Sequence, residues 1–380
     1  MRAHGLAYQI KHGYAEEEEE GQRMHVAHLM KSSGPFARDW AKAVENYCTV
    51  SRIGIGHQTH QEADTVVVPK GRLRPTRIAY PANDRIEAIG IAGACRRISA
   101  VSDEPIQLIH GHFLGGGRRL IHSGKRLGVP VAFTEHFSGL TDRAHTSKQL
   151  TDKAISRARW VYERADILIA VSDYLANMIL SRTGIEADVV GNPVDVDLFS
   201  LGNPSELPQV VYVGRLHPDK RPDLLIQGFS LLRNRGVEAR LTLVGDGPSR
   251  DYLHDLVDQL SLRECVHFTG KVPRHEVAKI SQSASVGVST SAVETFGVAV
   301  AEFSSVGLPV VAPDLPPFDE VLPVEGRLLF EPNSIESLVE ALTVALARSW
   351  DRQAIRASIV ARYSHRAIGR RLLDLYERVV

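Results

Sequence analysis

Apolar positions in this chain fall into short runs, separated by longer stretches in which they recur every three to four residues. Residues 26–30 (VAHLM) form one such run, and 36–46 then place Ala37, Trp40, Ala41 and Val44 on one helical face. The same pattern predicts strands at 49–55, 65–68, 106–109, 129–134 and 166–171, and helices at 83–99, 148–164 and 174–182. Ser172 and Asp173 suit the cap of the last helix. After residue 200 the alternation begins again, with strands at 209–213, 241–244, 266–269, 284–288 and 309–312 and helices at 222–233, 335–348 and 365–380. Alternating strands and helices predict parallel sheets covered by helices, an α/β chain. Gly191-Asn192-Pro193-Val194-Asp195 interrupts the pattern, and 198–207 reads as linker. Two domains are therefore expected, 24–195 and 205–360, as a length of 380 residues also suggests.

Composition narrows the classes. With 43% hydrophobic and 24% charged residues the chain is ordinary globular protein. Its 45 basic residues balance 45 acidic ones, which argues against nucleic acid as the main partner. Three scattered cysteines show neither a disulfide framework nor zinc spacing and fit a reducing cytosol. No apolar run approaches a membrane span and no signal peptide is expected, so at most the protein touches a membrane from outside. Residues 1–23, with five glutamates at 16–20, are expected to stay solvated and disordered.

Candidate chemistry concentrates at 289–312, STSAVETFGVAVAEFSSVGLPVVA. It reads as strand, loop, helix, strand, with the helix stopping at Gly307 before Pro309. Glu294 falls in the loop, Gly297 allows close backbone approach, and Glu302 lies about one turn into the helix. Free N–H groups at the helix start suit an anion or polar ligand, and the two carboxylates suit hydroxyl groups of a sugar. An acidic residue favouring the helix dipole, plus an exposed glutamate, would explain the same spacing. Arg215 and Lys220 share the loop that Gly214 opens, and two fixed cations there suit a diphosphate; a solvated basic loop is the alternative. His110 and His112 point the same way on a strand end, as metal ligands would, but no third ligand is evident. His136 follows a strand, at the sheet edge where open α/β sheets bind ligands; a satisfied structural histidine is the alternative. Gly34, in the loop between the first strand and helix, reads by itself as a simple turn glycine. Gly54-Ile55-Gly56 lacks the third glycine of a dinucleotide site, and Gly245-Asp246-Gly247 is compatible with a simple tight turn.

Taken together these motifs resemble the retaining glycosyltransferase family 4, the "glycosyl transferases group 1" of GT-B fold, over most of residues 24–375. Its Glu-x-Phe-Gly…Glu signature stands here as Glu294, Phe296, Gly297 and Glu302, and its Gly-Arg-(x)4-Lys motif as Gly214, Arg215 and Lys220. The stretches 110–117, 134–139 and 270–273 are similar to its cleft and base-framing loops. The resemblance implies two Rossmann-like β/α/β domains facing a cleft, acceptor domain first and donor domain second, with helix 365–380 crossing back to the first. It implies sugar transfer, with retention and without metal or cofactor, from a UDP- or GDP-type sugar to a hydroxyl of a glycan, lipid-linked or small-molecule acceptor. Arg215 and Lys220 would hold the diphosphate and Val272 would frame the base. Glu294 and the amides from Phe296 to Val298 would hold the sugar, and Glu302 the ribose. Gly34, His112 and His136 would line the acceptor side, His136 beside the reacting face. The implied location is the cytoplasm, with contact at the inner membrane face left open. A nucleotide-sugar 2-epimerase of the same fold, or a non-catalytic nucleotide-sugar binder, remains an alternative, and the base, sugar, acceptor and oligomeric state stay open.

Overall fold

A computed structural model describes residues 23–31, 35–55, 65–68, 79–136 and 151–380; Gly34 and residues 1–22 lie outside these. The first sheet contains β1 (His25–Lys31), β2 (Thr49–Ile55), β3 (Thr65–Val68), β4 (Leu108–His112), β5 (Val131–Glu135), β6 (Ile167–Ala170) and β7 (Asp188–Val189). Helices α1 (Pro35–Val44), α2 (Ala79–Ser102), α3 (Leu114–Leu127), α4 (Asp152–Tyr162) and α5 (Asp173–Thr183) connect these strands. All pairings are parallel, in the order β3-β2-β1-β4-β5-β6-β7. Every residue of β4, β5 and β6 is buried, as expected of strands covered on both faces.

The second sheet holds β8 (Gln209–Val213), β9 (Arg240–Val244), β10 (Val266–Gly270), β11 (Val286–Val288), β12 (Val310–Pro313) and β13 (Arg327–Phe330), parallel in the order β10-β9-β8-β11-β12-β13. Its helices are α6 (Pro222–Asn234), α7 (Arg250–Gln259), α8 (Arg274–Ser283), α9 (Val298–Ser305), α10 (Pro316–Val321) and α11 (Ile335–Ala347), followed by α12 (Arg352–Tyr363) and α13 (His365–Tyr376). In each sheet the strand order reverses beside the unit's first strand, between β1 and β4 and between β8 and β11. Such switch points leave a crevice at the carboxyl ends of the strands, where ligands bind.

Several elements differ from the sequence expectation. β4 runs to His112 rather than stopping at 109, because its two histidines are buried and partnered inside the domain. The expected C-terminal helix ends at Tyr376 and is preceded by α12, from which Ser364 separates it as an N-cap accepting from the Ala367 amide at 3.3 Å. Helix α13 lies against α1, with Tyr47 donating to the Arg366 carbonyl at 3.3 Å and Tyr376 Oη 2.6 Å from His110 Nδ1. No helix among the described residues is long and apolar enough to cross a membrane.

Candidate active site

The carboxyl ends of β8 and β11 and the facing ends of β4 and β5 enclose a cavity of about 310 Å³. Its second-domain wall begins at α9. Gly297 caps that helix at φ 86°, ψ 63°, a left-handed conformation, and a Cβ there would stand 2.9 Å from Phe318 Cε1. Val298, Ala299 and Val300 of the first turn border the cavity, so the helix presents its positive end there. Phe296 also lines the wall and packs edge-on against Tyr363, ring centroids 5.1 Å apart.

Lys220 reaches the same wall, its Nζ 2.6 Å from Glu294 Oε2. Two bonds hold the short 310 turn carrying Lys220 on the 289–294 loop: Thr290 Oγ1 donates to the Lys220 carbonyl and the Ala292 amide to that of Asp219, both at 2.9 Å. Gly214 lines the cavity too, while Arg215, the next residue, is exposed and outside the lining, and its guanidinium makes no ion pair among the described residues. The Gly245-Asp246-Gly247 turn supports this loop from behind. Gly245 has φ 136°, its missing Cβ leaves room for the Gly214 carbonyl, and the Leu216 amide donates to the Asp246 carbonyl at 3.1 Å.

The first-domain wall is His136, with the Phe113 ring beside it at 4.7 Å between centroids. Burial lowers His136 to about 3, outweighing its hydrogen bond to the Asn192 side chain, so at neutral pH it is an uncharged imidazole. It can exchange hydrogen bonds with a hydroxyl but carries no cation to an anionic ligand. His112, expected in the wall, stands behind it: its Nδ1 is 3.1 Å from His136 Nε2, and it acts as a support. Trp40 meets both rings edge-on, at 5.3 and 5.7 Å, and donates to Asn192 Oδ1 at 3.2 Å.

A third imidazole, absent from the sequence reading, completes this cluster: the ligand atoms of His28, His110 and His112 lie within 4.8 Å of one another. Both nitrogens of His28 are buried and have no hydrogen-bond partner among the described residues. His110, however, is held on both sides, by Tyr376 at 2.6 Å and Thr134 at 2.7 Å. Burial holds all three imidazoles well below their ordinary range, so at neutral pH they are uncharged rings packed together.

The Glu294 loop is also tied across the cleft. Ser172, which caps α5 by accepting from the Leu175 amide, donates to the Thr295 carbonyl at 2.6 Å, and Thr295 Oγ1 donates to the His136 carbonyl at 3.2 Å. Glu302 lies off the cavity wall, where its Oε1 accepts from Arg274 at 2.9 Å. Burial pushes Glu302 up to about 7 against the opposing pull of Arg274. Val272 is half-buried and likewise outside the lining. One cavity thus gathers Gly214, Lys220, Glu294, Phe296, Gly297, Val298 and His136. Sequence reasoning gave no role to Phe113, inside the 110–117 stretch, to Thr295, the open position of the Glu-x-Phe-Gly signature, or to Tyr212, which carries no motif; Asn192, inside the Gly-Asn-Pro break, had a visible signal.

Residues 194–359 match the sequence model described as Glycosyl transferases group 1, and 51–198 that described as Glycosyltransferase Family 4. The GPI3 subunit of phosphatidylinositol N-acetylglucosaminyltransferase from Saccharomyces cerevisiae is 24% identical over 300 residues, 73% of this chain and 64% of that protein. D-inositol 3-phosphate glycosyltransferase 2 of Catenulispora acidiphila is 32% identical over 232 residues, 54% of each chain. The chain spans less than two thirds of the length of these relatives. Among solved structures, sucrose-phosphate synthase from Thermosynechococcus elongatus superposes with a TM-score of 0.70 at 20% identity, covering 94% of this chain and 99% of that one. Anabaena HepE in complex with UDP-glucose gives 0.72 at 18%, covering 94% and 100%. The two sequence matches meet at 194–198, where the domains join, and the chain belongs to the group 1, family 4 glycosyltransferases with their two-domain GT-B fold.

Proposed function

We propose that the protein is a retaining, metal-independent glycosyltransferase that moves a sugar from a nucleoside diphosphate to a hydroxyl acceptor in the cytoplasm. The observation that carries this reading is the pairing of Lys220 with Glu294 at 2.6 Å beside the amino end of α9. A cation and a helix terminus there match a diphosphate, and a carboxylate beside them matches sugar hydroxyls. As the bond from the anomeric carbon to the diphosphate breaks, charge grows on the departing oxygens. Lys220, Arg215 and the first amides of α9 stabilise that charge. A departing diphosphate oxygen takes the acceptor proton, and the new glycosidic bond forms on the face that the diphosphate leaves. His136, uncharged, orients the sugar from the opposite wall, and closure of the domains keeps water out. UDP is the first base to try, since HepE is solved with UDP and with UDP-glucose. The names of the relatives suggest inositol phosphates and phosphatidylinositol for the acceptor panel.

The test incubates chelator-treated protein with UDP- and GDP-sugars, with and without these acceptors, and reads the anomeric configuration by NMR. Transfer with retention is expected. An inverted product, or activity lost to chelator and restored by magnesium, would reject the corresponding part. An epimer formed from donor alone would replace transfer by epimerisation.

A further inference from the structure

Behind the cavity wall, three histidines share one face of the first sheet. His28 of β1 and His110 of β4 are register partners in the parallel pairing, and His112 stands two residues further along β4 on the same side. The rings of His110 and His112 lie 4.5 Å apart between centroids, with His28 at 4.9 and 6.0 Å from them. One ring nitrogen of each lies within 4.8 Å of the other two. All three residues are buried, and none lines the cavity. Among the described residues, neither nitrogen of His28 nor Nε2 of His112 has a hydrogen-bond partner. Bare nitrogens in a core are costly, because a polar atom that gives up water normally finds a replacement. The other nitrogens are engaged as those of ligating histidines are. His112 Nδ1 meets His136 Nε2 at 3.1 Å, and His110 is held by the Tyr376 and Thr134 hydroxyls. Arg52, the register partner of His28 on β2, has its charge paired with Glu45.

We propose that His28, His110 and His112 bind one late first-row transition-metal cation, zinc being the first to try, as a structural centre joining β1 to β4. No carboxylate belongs to the set, which argues against magnesium or calcium, whereas imidazole suits zinc, copper and nickel. Burial keeps the rings uncharged, the form that ligates. Nitrogens about 2.1 Å from zinc at the tetrahedral angle stand roughly 3.4 Å apart, so the widest pair, within 4.8 Å, closes by no more than about 1.4 Å. Turning the His28 ring breaks no hydrogen bond among the described residues. One of the two hydroxyls on His110 turns aside as that ring ligates, and the other stays as its outer partner. The fourth position falls to water, whose ionisation to hydroxide offsets part of the charge taken into the core. Binding through Nε2 leaves the His112 proton on Nδ1, which then donates to His136 Nε2 and fixes the tautomer of that wall residue. The centre takes no part in the transfer chemistry proposed above and is tested independently of it.

The test uses the whole chain without an affinity tag, stripped with chelator, loaded with zinc or cobalt(II) and freed of excess metal by gel filtration. Elemental mass spectrometry reads the bound zinc, and visible absorption reads the cobalt geometry. Wild type is compared with His28→Phe, His112→Gln and a control at an exposed histidine, His275→Gln. Wild type and the control should retain about one zinc per chain and show the intense absorption of four-coordinate cobalt. His28→Phe, which gives up no hydrogen bond among the described residues, should fold and retain at least about tenfold less zinc. Zinc should raise the melting temperature of wild type and leave that of His28→Phe unchanged. A wild type that retains no metal, its bare nitrogens served by water alone, overturns the proposal, and so does equal retention by either core variant. Should both core variants fail to fold, the wild-type cobalt spectrum decides, and the weak absorption of a six-coordinate ion overturns the site.

Discussion

Replacing Lys220 by alanine separates a binding role from a structural one. In the free protein its pair with Glu294 spans 2.6 Å, but the two side chains are 30% and 20% exposed, so the contact adds at most about 1 kcal/mol to folding. With a diphosphate in place the balance changes. A unit charge about 4 Å from a phosphate oxygen, at an effective dielectric of about 20, interacts by about 4 kcal/mol. Loss of one preorganised group that stabilises growing negative charge costs about 2.7–4 kcal/mol in measured cases. The truncation also leaves the Glu294 carboxylate facing the anion without its cation, which acts in the same direction. Lys220→Ala should therefore lower kcat/KM by about 10²–10³, with a melting shift of no more than about 2–4 °C. Initial rates on the donor that the wild type accepts, beside calorimetric melting, measure both. A loss below about fivefold in a folded variant would refute the reasoning, and so would an activity loss that tracks a collapse in melting temperature.

Other outcomes follow from the same geometry. Gly297→Ala, at φ 86° and against Phe318, should cost about 1–2 kcal/mol in denaturant unfolding and, by displacing the amino end of α9, at least about tenfold in kcat/KM. Ser172→Ala removes both the α5 cap and the bond to the Thr295 carbonyl, with about 1–2 kcal/mol lost in the same assay. Glu302 titrates at about 7 when folded against 4.5 as its ordinary value, so the native state binds more protons between those limits and stability falls as pH rises through them, by roughly 3 kcal/mol. Glu302→Gln should flatten that decline in melts recorded from pH 5 to 8.

How much was legible varies with the range of the forces involved. The 289–312 stretch folds as read, because its apolar runs, Gly297 and the Gly307 stop act over a few residues. The Gly214–Lys220 loop was legible for the same reason: it follows a plain apolar strand and precedes a plain amphipathic helix. Short or mixed elements were not. β7 has two residues, and α12 has polar positions that make sense only against α9 and α13. His28 shows the limit at the site. In β1 it is one polar residue in an apolar run, and only sheet pairing brings it beside His110.

The sequence alone determined the α/β alternation, the division near residue 200, and the loops that carry Lys220, Glu294 and His136. These depend on periodicity and on glycine, proline and capping residues, which act between near neighbours. Tertiary structure decided what those residues meet. It set His112 behind His136, paired Lys220 with Glu294, and joined Glu302 to Asp39 through Arg274. Such contacts join segments far apart in the chain, and which of them form depends on strand order, on the return of α13 to α1, and on the cost of burying a charge without a partner.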